Sequence, residues 1–168
     1  GGPNKRSLHY AETLAGDTTV GHASAYCQVL EGLADASAPP RALALRAVGL
    51  ELERLANHTG DLGALAGDVG FLPTASYCGR LRGDYLNLTA EICGNRFGRG
   101  LVRPGGVGFD VSDVRAADMV ARHGMAFDDT ENAVRLLWDS ASVQARFEET
   151  GTVSKDLARD HGLVGMAA

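Results

Sequence analysis

PPRALALRAVGLELERLANHTGDLGALAGD, residues 39–68, reads as one long helix. Proline is tolerated in a first helical turn, where the amide it lacks has no intrahelical acceptor, so Pro39-Pro40 marks the start. Leu45, Val48, Leu52, Leu55, Thr59, Leu62 and Ala66 then recur in steps of three and four, which places one apolar stripe on one face. That phase puts Glu53 on the opposite face, toward water. Glu51, Arg54, His58 and Asp61 run beside the stripe as a polar seam. The seam has two readings: a boundary row of solvated ion pairs, or a buried Glu51–Arg54 step that orients its neighbours.

Before this helix, Asp17 or Thr18 can cap another that runs to about Leu33, with Val20, Ala23, Cys27 and Leu30 on one face. A following helix fits Thr74 to about Arg96, with Tyr77, Leu81, Tyr85, Leu88 and Ile92 inward. Gly100–Asp110 interrupts the pattern, because proline lacks the amide donor and glycine is unfavourable in a helix. An extended segment or turn is predicted there. Helical signals return over Ser112–His123 and Thr130–Trp138. Two short helices are predicted near Ser142–Glu149 and Ser154–His161, the second stopped by Gly162. GGPNKRSL at the start reads as unstructured, and GLVGMAA at the end as a cut within an element. The predicted class is all-α, a mainly helical bundle with a short extended Arg-Pro-Gly-Gly-Val segment. One helical domain over residues 1–168 is expected, as an excerpt of a longer chain.

A chain of 168 residues with 45% hydrophobic and 22% charged residues can bury a core. Its net charge of −5, with no long basic run, points away from nucleic acid. No apolar run approaches the ~18 residues of a membrane span, and no secretory leader is read at Gly1. Cys27, Cys78 and Cys93 are too widely spaced for a metal knuckle and suit a reducing compartment. No Gly-x-Gly-x-x-Gly opens a helix after a strand, so no dinucleotide-binding fingerprint is read in this segment.

Candidate functional residues fall in two groups. His22 and Tyr26 are four apart and share a helix face, either as a half-buried histidine bonded to a carbonyl or as groups facing a site. Arg80, Arg82, Arg96, Arg99 and Arg103 crowd into one stretch, either as solvated surface or as a surface for anionic groups. No His, Cys or carboxylate set has zinc spacing.

GDTTVGHASAYCQVLE (residues 16–31) together with the stretch from Pro39 to Val107 resembles the large subunit shared by nickel–iron hydrogenases and respiratory complex I. The formate-hydrogenlyase large-subunit branch is the nearest in character, and the likeness runs from about Thr13 to Val164. The resemblance implies an oxidoreductase subunit that passes electrons between an iron–sulfur small subunit and a quinone-type acceptor. The alternative is a structural or assembly subunit that keeps the fold for docking. Under the resemblance, His22 and Tyr26 fall in the segment lining the quinone cavity. Arg82, Arg96 and Arg103, with Gly105 and Gly106, become candidates for contact with the iron–sulfur partner. The expected location is cytoplasmic, held to the face of the inner membrane through partner subunits.

The chain also departs from that family. The cysteines of the first metal-binding pair would stand at Ala15 and Thr18, and neither residue supplies a thiolate. No metal is therefore expected in this segment, the iron–sulfur cluster belonging to the partner. The quinone-contacting tyrosine of complex I aligns with Gly16, and a histidine before Arg-Pro-Gly-Gly aligns with Gly98.

Overall fold

A computed structural model describes Asn4 and residues 6–165. Seven helices and one minimal hairpin are found among these residues: α1 (Ser7–Ala11), α2 (Thr19–Leu33), α3 (Pro40–Asp68), α4 (Leu72–Cys93), β1 (Val102–Arg103), β2 (Gly106–Val107), α5 (Asp113–Trp138), α6 (Ala141–Phe147) and α7 (Lys155–Asp160). The architecture is mainly helical, as expected. The predicted extended segment is an antiparallel pair in which Val102 faces Val107 and Arg103 faces Gly106.

The core lies where α2, α3, α4 and the hairpin meet, around Val20, Cys27, Leu52, Tyr85, Leu88 and Leu101. The long antiparallel neighbours α3 and α4 form its spine. Small residues on α3 let its neighbours, the segment before the hairpin as well as α4, approach closely. A Cβ on Gly49 would lie 2.6 Å from Leu101, and one on Gly63 would lie 3.0 Å from Cys78. Ala42, Gly49, Ala56, Thr59 and Ala66 are buried on α3, whereas Val48 is 45% exposed and Leu45, Leu55 and Leu62 are half-buried. Leu52, Thr59 and Ala66 of the predicted stripe are buried, but the buried face as a whole is turned from it toward Ala42, Arg46, Gly49, Glu53 and Ala56. Glu53, expected in water, is 8% exposed, and Arg46 is buried in the same row.

Other boundaries move for local reasons. The helix predicted to reach Arg96 ends at Cys93, because Gly94 takes a left-handed conformation (φ 73°) and caps it. The two helices expected over 112–138 are one. Met119, Ala126 and Ala133 repeat every seven residues against the core, and that continuous contact carries the helix through Gly124. Ser112 caps its start, accepting from the Arg115 amide. Helix α1 begins at Ser7, within the stretch expected to lack structure; Gly1, Gly2, Pro3, Lys5 and the last three residues of GLVGMAA lie outside the described residues.

Candidate functional site

Three buried carboxylates tie loops to helices. The first is Glu31, whose oxygens accept from the Arg46 guanidinium at 2.6 and 3.1 Å. Arg46 also donates to the carbonyls of Arg103 (2.7 Å) and Gly106 (3.1 and 2.9 Å), while the Gly105 amide donates to Glu31 at 2.7 Å. The guanidinium beside Glu31 holds its carboxyl below the usual carboxylate range, and the Gly105 amide adds to the effect. The Arg-Pro-Gly-Gly turn is therefore anchored through its backbone, which leaves its side chains outside. Gly105 has φ 80°, a conformation that favours glycine.

The second is Glu53, reaching from α3 to the start of α2. It accepts from the amides of Val20 (2.7 Å) and Gly21 (3.0 Å). Thr18, expected to cap α2, makes no side-chain cap hydrogen bond, and Asp17 turns away. The negative charge of Glu53 does that work at a helix end whose free amides favour an anion. Glu12 is the third. It is 3% exposed and accepts from the Gly100 amide at 2.7 Å. Apolar patterning pointed to none of the three. The available signal was a charge in phase with small residues: Arg46 and Glu53 alternate with Ala42, Gly49 and Ala56.

At the end of the Thr13–Thr18 turn, a polar cleft of about 590 Å³ opens between the turn and the α3–α4 pair. Asp17, Asn57, Gly60, Asp61 and Arg82 line it. Asn57 donates its side-chain amide to the Asp17 carbonyl at 3.0 Å, and Arg82 donates to the Asp17 carboxylate at 2.9 Å. Behind the cleft, Arg96, Glu53 and Phe97 surround a much smaller pocket that shares Asp17 and Asn57. A second large hollow, about 360 Å³ between α3, α4 and α5, is lined by apolar residues such as Leu45, Leu52, Leu88 and Met119.

The sequence candidates separate in space. His22 is half-buried, with Nδ1 2.6 Å from the Thr18 carbonyl; a carbonyl only accepts, so Nδ1 carries the proton. Tyr26 packs half-buried against the core. Neither His22 nor Tyr26 is among the residues lining the polar cleft. Glu51, Arg54, His58 and Asp61 are all exposed, and Glu51 pairs with Arg54 at 3.4 Å in open solvent. The buried reading of that pair does not hold, and only Asp61 of the seam reaches the cleft. Arg82 lines the cleft and Arg96 the smaller pocket behind it, whereas Arg103, Gly105 and Gly106 stand at the hairpin. Arg46, under the hairpin, and Gly60, under Arg82, are separated on α3 by roughly 21 Å. Among the described residues Arg96, Arg99 and Arg103 form no ion pair.

Gly98 has φ 71°, and a Cβ there would lie 2.5 Å from Val20 Cγ2. Val20 thus fills the space a side chain at that position would need. Ala15 is exposed on the turn and Thr18 is half-buried, so no thiolate faces the cleft. Cys27, Cys78 and Cys93 are buried; burial pushes the Cys27 thiol up to about 11 and raises the other two. Such thiols stay protonated near neutrality and are poor ligands or nucleophiles. No group of three or more His, Cys, Asp or Glu among the described residues is placed to hold a metal ion.

The family described as the respiratory-chain NADH dehydrogenase 49 kDa subunit matches residues 68–168. The NADH-quinone oxidoreductase D subunit of Campylobacter jejuni is 32% identical over 142 residues, covering 84% of this chain and 35% of that protein. A protein of the same name from Solibacter usitatus, the second of its kind there, is 28% identical over 93% of this chain and 42% of its own length. The alpha subunit of the membrane-bound hydrogenase of Pyrococcus furiosus is 27% identical over 96% of this chain and 38% of its own. The chain therefore spans well under half the length of these curated relatives.

Proposed function

The chain belongs to the family of the 49 kDa subunit of respiratory-chain NADH dehydrogenase, and from that membership we propose that it is the helical core of an oxidoreductase subunit. In this reading the subunit works inside a multisubunit, membrane-associated complex. Electrons arrive from an iron–sulfur partner, a quinone-type acceptor receives them, and this chain contributes the cavity and the docking surface. The metal or cluster does the electron chemistry while the protein supplies placement. No helix among the described residues is long and apolar enough to cross a membrane; in this reading, attachment to the membrane runs through partner subunits. Nickel has no place here: Ala15 and Thr18 offer no thiolates on the turn that would hold it.

The observation that carries the reading is the hairpin. Arg46 and Glu31 clamp its backbone from below, yet Arg103 is exposed and unpaired among the described residues. A rigid turn presenting free guanidinium suits a partner whose thiolate-bound cluster and carboxylates carry negative charge. His22 and Tyr26 are offered as the groups nearest the acceptor, on the turn-proximal part of α2.

Arg103→Ala should weaken co-purification of the iron–sulfur subunit while the chain stays folded, because a desolvated charge pair at an interface is costly to break. Arg159, exposed and paired with Asp156 near the chain end, is the comparison, and its replacement should leave assembly intact. Equal assembly of both variants, or unfolding of the Arg103 variant alone, would overturn the docking role of the hairpin and favour a purely structural role for that loop.

A further inference from the structure

The apolar hollow between α3, α4 and α5 has a shape and a chemistry that electron transfer leaves unused. Helix α4 is its floor. Arg80 bonds to Asp129, Tyr85 to Thr130, and the Glu91 carbonyl accepts from Arg115, so α5 runs antiparallel to α4 and parallel to α3. The two walls start together. Arg41, at the start of α3, donates to Asp110 at 2.8 Å and to the Val111 carbonyl at 2.6 Å, just before α5 begins. From there one wall runs to Leu52 on α3 and the other from Asp113 to His123 on α5. At the rise of a helix, either wall is roughly 15 Å long. His123 stands at the far end, its ring edge-on to Tyr85 and Phe127 with centroids 6.2 and 6.3 Å away.

We propose that this hollow binds the alkyl chain of a zwitterionic, single-chain amphiphile of the lysophospholipid class, with its head group at Arg41 and Asp113. Between the two ends the lining is aliphatic: Leu45, Val48 and Leu52 on α3, Leu88 and Ile92 on α4, Met119 on α5. No Phe, Tyr or Trp lines it among the described residues, so a flat ring finds no face to stack on. The volume is about 360 Å³. At roughly 30 Å³ per methylene, close to the share of a water in the liquid, about a dozen carbons fill it. Three turns of a helix, about 10 Å across, displace several times that volume, so a docked helix does not enter. Val48 and Val120 are 45% and 71% exposed at the rim, and a chain laid between them removes that apolar surface from water. The mouth carries both signs of charge. Arg41 spends Nε and Nη2 on the loop and leaves Nη1 to a phosphate oxygen. Asp113 is exposed, has no ion pair among the described residues and faces an ammonium. An anionic head alone would meet Asp110 and Asp113, and a cationic one Arg41; a head with both charges suits the two sides of the mouth. This site stands apart from electron transfer, and neither reading needs the other.

The test uses the full subunit in its assembled complex. The probe is dodecylphosphocholine with a diazirine in its chain, held below its micelle concentration. Photolysis should label peptides covering Leu45–Leu52 and Ala116–His123, and unlabelled dodecylphosphocholine should compete the labelling away. Ala116→Phe fills the hollow and removes no polar group, so it should weaken that competition by about tenfold, as losing room for two methylenes would. Ala44→Phe, exposed on the opposite wall, should do the same and replaces it where the first variant does not assemble. Asp113→Asn should weaken competition by dodecylphosphocholine about two- to fivefold, the worth of one exposed ion pair, and leave competition by uncharged dodecyl maltoside unchanged. Labelling that does not saturate, falls on other helices or is untouched by the filling variants overturns the site. Saturable labelling for which dodecyl maltoside competes as well as dodecylphosphocholine overturns the zwitterionic head group.

Discussion

Glu51 and Glu53 stand two residues apart on α3 and meet opposite fates. Glu51 is 58% exposed in its side chain and pairs with Arg54 in water. Glu53 is buried and spends both oxygens on the amides that open α2. One face of the helix carries charges whose partners are solvated and loosely held. On the other face, Arg46 and Glu53 organise segments distant in sequence. Charge on a helix thus informs about function only once its neighbours are known. An exposed pair contributes little, because water competes for both partners, whereas a buried charge must be paired and becomes a fixed point of the structure.

The strongest contrast between the two faces should appear at the buried centre. Arg46→Ala leaves Glu31 buried without its partner and strips donors from the Arg103 and Gly106 carbonyls, so unfolding free energy should fall by about 3–5 kcal/mol in a urea titration. A loss under about 1 kcal/mol would place this pair in the same class as Glu51–Arg54. Glu53→Ala should cost about 2–3 kcal/mol by leaving two amides of the α2 start unpaired, and hydrogen exchange at Val20 and Gly21 should accelerate. Unchanged protection there would mean that α2 caps itself.

Titration offers a smaller effect. The thiol of Cys27 is raised in the folded chain from an ordinary value near 9 to about 11. The unfolded chain therefore releases its proton first as pH rises. The stabilising contribution is complete below about pH 9 and is lost as pH climbs toward 11. Cys27→Ala should flatten that decline in thermal melts recorded across the alkaline range; an equally steep decline in the variant would assign it to other groups. At the bottom of the scale, Glu51→Ala should change stability by less than about 0.5 kcal/mol. A change as large as that of Glu53→Ala would erase the distinction between the two faces.

Much of the architecture is legible in the sequence. Pro39-Pro40 announces the start of α3, Gly162 the stop after α7, and Pro104 with its glycines the break that becomes the hairpin. Of the inward row predicted on α4, Leu81, Tyr85, Leu88 and Ile92 are buried as their spacing predicts, and Tyr77 is half-buried. The phase of α3 is only partly legible: Leu52, Thr59 and Ala66 of the expected stripe are buried, but elsewhere large apolar side chains draw the stripe while small ones make the contact. At Gly49 and Gly63 the neighbour enters the space a side chain would fill, and a glycine does not name its neighbour. The candidate site is less legible still. Nothing in the apolar pattern marks Glu12, Glu31, Arg46 or Glu53 as fixed points, and the arginine cluster reads as one surface although its members separate to two ends of α3.

The start at Pro39-Pro40, the break at Pro104, the family of the chain and the lack of thiolates at Ala15 and Thr18 are properties of the sequence alone. They depend on each residue's own chemistry and on neighbours within a turn or two. Which charges are buried, and what they hold, is settled by packing. Glu53 meets Val20 across 33 residues, Arg46 meets Gly106 across 60, and Arg82 meets Asp17 across 65. No local periodicity encodes those pairings, because they arise only when packed helices remove water and leave each charge the partner within reach.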